Sequence, residues 1–127
     1  MKEQIETANA PAAIGPYSQA VRYGGTLYVS GQIPVNPQTG EVPEGIRAQT
    51  AQSMENLKAV LEAAGASLQD VVKCTLFVKD LSGFSAVNEV YAGYFTAPFP
   101  ARSCVEVAVL PKGVLVEIEA IAAVNAL

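Results

Sequence analysis

The chain contains no histidine, and that absence narrows its chemistry more than any single motif does. The commonest general base, the commonest metal ligand and every Ser–His or Cys–His dyad are gone. What remains is carboxylates, arginine, tyrosine, cysteine, backbone groups and water. The richest run of such groups is PARSCVEVAVLPKGVLVEIEA, residues 100–120. Residues 101–109 and 115–123 read as two strands joined by a turn at 111–113. Alternation puts Ser103, Val105, Val107 and Val109 on one face of the first strand, and Arg102, Cys104, Glu106 and Ala108 on the other. In the second strand Leu115, Glu117, Glu119 and Ile121 share a face. The valines suit a helix-covered side, so Arg102 and Glu117 are expected on the uncovered face, in adjacent strands. A subunit closing over that face would leave an arginine and a carboxylate in a partly dry cleft. An interface salt bridge with no catalytic role satisfies the same pattern.

The elements that must position these groups are legible from period and punctuation. Residues 4–7 form a candidate short strand. Residues 8–16 are a loop broken by Pro11, Gly15 and Pro16. Residues 20–23 and 26–30 read as a hairpin, because Gly24-Gly25 supplies the positive φ of a tight turn. Pro34, Pro37, Gly40, Pro43 and Gly45 make 33–45 an irregular loop. Residues 46–64 are a helix: Thr50, Met54, Leu57, Leu61 and Ala64 form a stripe at spacings of four and three, widened by Val60, and Gly65 is a suitable cap. Residues 71–79 read as a strand with Val72, Cys74, Leu76 and Val78 on one face. Asp80 or Ser82 can cap a second helix reaching about residue 95, with Phe84, Val87, Tyr91 and Tyr94/Phe95 as its stripe and Asn88 beside it. Strands, helix, strand, helix, strands is the order of an α+β layer: one mixed sheet with both helices on one face, the other face bare.

The 127 residues read as one domain, 1–127. Half the residues are hydrophobic and only 16% are charged, against a usual charged share of about 25%. A small domain with that balance has more apolar surface than one core hides, and burial between identical subunits is the natural outlet. The net charge of −4 and the lack of a Lys/Arg cluster disfavour nucleic acid as a partner. Cys74 and Cys104 both fall in strands, in no metal or redox spacing. No apolar run approaches the roughly 20 residues of a membrane span, and the polar start of the chain is unlike a signal peptide. A cytoplasmic protein without a membrane partner is the expectation.

Several segments, in order along nearly the whole chain, resemble the RidA/YjgF family: APAAIGPYSQA (10–20), VSGQIPVNPQTGEVP (29–43), residues 56–65, VKDLSGFSAVNEVY (78–91) and PARSCVEVAVLPKGVLVEIEAIAA (100–123). The resemblance implies a chorismate-mutase-like α+β fold, assembled as a homotrimer with sites in the clefts between subunits. It implies deamination of enamine and imine products of pyridoxal-phosphate dehydratases, such as 2-iminobutanoate and 2-iminopropanoate, with no metal or organic cofactor. By the same resemblance Arg102 holds the substrate carboxylate and Glu117 orders or activates the attacking water. Tyr17 closes the pocket, Ser30 and Gly31 lie where strand becomes loop, and the Gly31 amide reaches the ligand. Asn88 helps shape the pocket, and Cys104 lines it as a packing residue. Lys112 and Glu119 are left as surface or structural charges.

Two other readings fit much of the same pattern. One is a relative acting on an aminoacrylate from another catabolic route. The other is a non-enzymatic trimer that binds a small ligand or acts as a chaperone; it would keep the Arg102 anchor without needing Glu117. A ribonuclease or translation-inhibitor role has been ascribed to relatives of the family, and the acidic balance and missing histidine argue against it here.

Overall fold

The computed structural model describes residues 1–124. The strands are β1 (Glu3–Ile5), β2 (Ala20–Tyr23), β3 (Thr26–Gln32), β4 (Val71–Val78), β5 (Ala101–Glu106) and β6 (Val116–Ala123), with helices α1 (Ile46–Ala63) and α2 (Phe84–Ala92). They form one mixed sheet in the order β1-β2-β3-β6-β4-β5. Every neighbouring pair is antiparallel except β4 with β5. Strands β3, β4 and β5 therefore run the same way, and the chain steps across the sheet from β3 through α1 to β4, then through α2 to β5. Crossovers between parallel strands take one hand almost without exception. Two crossovers of the same hand in the same direction put both helices on the same face.

The α1 stripe is buried as its spacing requires: Thr50, Met54, Leu57, Val60, Leu61 and Ala64 all face the sheet. The helix stops at Gly65, which holds φ +76, a value that favours glycine. Against that stripe lie Leu27 and Val29 of β3, Leu76 of β4, and Val116, Ile118 and Ala120 of β6. Of the polar side chains buried with it, Gln19, Asn56 and Gln49 act as internal ties. Gln19 donates to the carbonyls of Thr7, Ala10 and Pro11 and accepts from the Thr7 amide, which pins the loop before β2. Asn56 donates to the carbonyls of Ile33 and Val35, and Gln49 accepts from the Leu115 amide at 2.8 Å.

Four expectations are corrected. Val72 is exposed, because the β4–β6 register shifts between Val71 and Lys73 and hands the core position to Val71. The second helix is shorter than 80–95: Asp80 caps a separate 3-10 turn at Leu81–Gly83, and the helix ends at Ala92, so Tyr94 and Phe95 pack from beyond its end. Arg102 and Glu117 are not in adjacent strands, since β4 lies between β5 and β6. Finally, the faces of β5 are reversed. Its parallel register sets Arg102 beside Cys74 and Cys104 beside Leu76, and both partners are fully buried under the helices. Arg102 and Cys104 thus point to the helix side, whereas Ser103 and Val105 are exposed on the bare side.

Candidate functional site

Arg102 leaves the edge strand β5 beneath α2. Residues 84, 88 and 91 of that helix fall at spacings of four and three and so share one face. The guanidinium carbon lies 5.1 Å from the Phe84 ring centroid and 5.0 Å from that of Tyr91, and Nη1 donates to Asn88 Oδ1 at 2.7 Å. Among the described residues Arg102 makes no ion pair; the two that form are Arg22–Glu3 and Arg47–Glu89. A cleft of about 440 Å³ opens over it, walled by Asn88, Tyr91, Phe99 and Pro100. Cys104 follows on the same face, half-buried, and burial pushes its thiol pKa up despite the nearby Arg102. A protonated thiol is a wall, not a nucleophile.

Glu117 stands on the opposite face of the sheet. Its row across the strands is Glu117, Phe77 and Val105, next to the row Glu119, Thr75 and Ser103. Burial, and secondly the Glu119 charge, raise the Glu117 carboxyl above its ordinary value. The carboxylate lies against Gly31, so closely that a β-carbon there would overlap it and would sit 2.8 Å from its carboxyl carbon. A β-carbon at 31 would push this carboxylate from its place. Gly31 and Ser30 lie where the β3–β6 register shifts between Val29 and Gln32, a bulge of the kind that re-aims groups beside functional sites. The Ser30 hydroxyl donates to the Ser18 carbonyl at 2.6 Å and its amide donates to the Gln19 carbonyl. Ser30 therefore ties down the segment bearing Tyr17. Glu117, Gly31, Ser30 and Tyr17 line a cleft of about 810 Å³, and Lys112 and Glu119, read from sequence as bystanders, line it too. Tyr17 is exposed on its wall.

The expected residues thus fall into two groups on opposite faces: Arg102, Asn88 and Cys104 by α2, and Tyr17, Ser30, Gly31 and Glu117 on the bare side. Phe84 and Tyr91 were expected only as core stripe, yet both contact the guanidinium. Their spacing from Asn88 was the available signal, hidden because Arg102 had been placed on the other face.

The family model described as endoribonuclease L-PSP matches residues 7–124. A 2-iminobutanoate/2-iminopropanoate deaminase of Escherichia coli (strain K12) is 60% identical over 125 residues, covering 96% of this chain and 98% of that protein. The crystal structure of the E. coli YjgF gene product superposes with a TM-score of 0.94 at 58% identity, covering 97% of this chain and 99% of the other. E. coli TdcF with bound serine does so at 0.94 and 52%, again over 97% and 99%. Likeness of this extent, with the same α+β layer of one mixed sheet under two helices, leaves one assignment: the chain belongs to the RidA/YjgF family.

Proposed function

We propose that the protein hydrolyses small 2-imino acids such as 2-iminobutanoate and 2-iminopropanoate, and the enamines that tautomerise to them, to 2-oxo acids and ammonia. It does so in the cytoplasm, at sites completed between subunits of a homotrimer. One observation carries the reading: Arg102 is a half-buried cation, held by two rings and an amide, with no anion of its own among the described residues. Such a group calls for an external anion, and its planar fork fits a carboxylate with two parallel hydrogen bonds. The name of the E. coli relative supports the choice of an imino acid as the molecule bearing that carboxylate.

The chemistry is within reach of a site lacking histidine. An imine carbon is already electrophilic, more so when protonated, so the main task is to hold water and substrate in line. Glu117 takes a proton from water as the water oxygen bonds to C2 and the C=N electron pair moves onto nitrogen. Glu117 returns its proton to that nitrogen, and ammonia leaves as the C2 hydroxyl gives its own proton to the freed carboxylate and the C2=O bond forms. One water is consumed and one ammonia released, with no change of oxidation state. The carboxyl of Glu117, raised by burial, is a better proton acceptor than an ordinary carboxylate. Tyr17 and the Gly31 amide close around the substrate, while Cys104 is wall.

A sheet cannot bring its two faces to one substrate, so Arg102 and Glu117 of the same chain act in different sites. A second copy laying its bare face beside α2 of the first supplies Glu117 to Arg102, and exposed Tyr28 and Val105 on that face favour such burial. The test couples a threonine dehydratase to the protein and times 2-oxobutanoate release. Native protein should speed release. Arg102→Ala should lose both catalysis and 2-oxobutanoate binding, and Glu117→Gln should keep binding and lose turnover. Full turnover in Glu117→Gln would remove Glu117 from the mechanism, whereas native protein that binds 2-oxobutanoate without speeding its release would favour a binding protein over an enzyme.

A further inference from the structure

We propose that Phe84 and Tyr91 are positioning residues: they fix the Arg102 guanidinium against two aromatic rings before ligand arrives, leaving part of its fork free for the substrate carboxylate. The inference rests on the reading of Arg102 as carboxylate anchor. Positions 84 and 91 are two helical turns apart, about 10.5 Å along the axis. Both rings lie on the same helix face, and the guanidinium carbon sits over each of them, 5.1 Å from one centroid and 5.0 Å from the other. Asn88, at the turn between, takes one Nη1 proton at 2.7 Å. The rings hold the guanidinium against α2 and Asn88 stops it from turning, so little side-chain freedom is left to lose on binding.

The two rings differ. Tyr91 is buried and itself pinned, its ring centroid 4.8 Å from that of Phe95. The face of its ring is what Tyr91 presents to the guanidinium. Phe84 is half-buried at the first turn of α2. A leucine would fill the space, but only an aromatic face attracts the cation.

The experiment measures 2-oxobutanoate binding by calorimetry and dehydratase-coupled turnover on Phe84→Leu, Phe84→Tyr and Arg102→Ala proteins. Nitrogen-15 NMR of the Arg102 Nε–Hε group is recorded without ligand. Phe84→Leu should weaken 2-oxobutanoate binding and raise KM about five- to tenfold, with kcat within about twofold of native. It should also move the Nε–Hε resonance away from its ring-shifted position. Phe84→Tyr should restore all three. A drop in kcat alone, unchanged binding in Phe84→Leu, or no rescue by tyrosine would overturn the proposal. Normal 2-oxobutanoate binding in Arg102→Ala would instead remove the anchor reading beneath it. Should Phe84→Leu not fold, Phe84→Met, unbranched and non-aromatic, is read by the same criteria.

Discussion

Glu117 and Arg102 are each tuned by what lies within a few ångströms. Burial first and Glu119 second raise the Glu117 carboxyl above 4.5, so the folded protein holds that proton more tightly than the unfolded chain does. By linkage, stability then falls as pH rises from about the ordinary carboxylate value to the raised one. Glu117→Gln should therefore melt like native protein at acid pH and at a higher temperature above that window. The acid limb of kcat/KM should follow the titration of Glu117, because the base form is needed. Glu119→Gln should shift that limb to lower pH by removing the neighbouring charge, and an unmoved limb would detach Glu117 from the rate. At the other half-site Arg102→Lys should be nearly as poor as Arg102→Ala. A point charge neither stacks on rings nor grips two oxygens, and losing such a partner in a desolvated site costs about 2–5 kcal/mol. Calorimetry with 2-oxobutanoate measures both.

The bulge in β3 and the turns of α2 do the placing. Gly31 has an ordinary backbone conformation, so alanine there would not strain the chain. Its β-carbon would instead displace the flexible end of Glu117. Gly31→Ala should thus keep its melting temperature within the few degrees that about 1 kcal/mol represents. Its kcat should fall about a hundredfold, the cost of shifting a reacting group by an ångström or so. Thermal melts and the coupled assay on one preparation separate the two effects; equal loss of both would place Gly31 in the fold and not the chemistry. The α1 stripe and its Gly65 stop were readable in advance, because a 3.6-residue period together with a terminal glycine has few other interpretations. For β5 the alternation was equally clear, but a period of two separates the faces without saying which one a helix will cover. At an edge strand the choice fell to Arg102, whose long stem packs under α2 while its head stacks on rings, and the valines were left outside.

At the scale of the assembly, light scattering should give three times the 13.3 kDa of one chain. A charge on the bare face, Val105→Asp, should yield lighter species that stay folded but inactive. Arg102→Ala and Glu117→Gln proteins, each inactive, should complement when unfolded together and refolded as mixed trimers. Random mixing gives about one site in four both intact halves, so about a quarter of native turnover should return; none returning would place both groups in one chain's site. Composition alone set several of these boundaries. The absence of histidine removed whole classes of mechanism, the low charge content pointed to burial between copies, and the ordered motifs marked the family. Those are properties of residue type and local spacing, which a chain carries whether or not it is folded. Which residues meet was decided only in the tertiary structure. Inserting β4 between β5 and β6, and laying α2 over the edge strand, put Arg102 and Glu117 on opposite faces. Strand order and the covered face depend on contacts between segments far apart in the chain, and no local period encodes them.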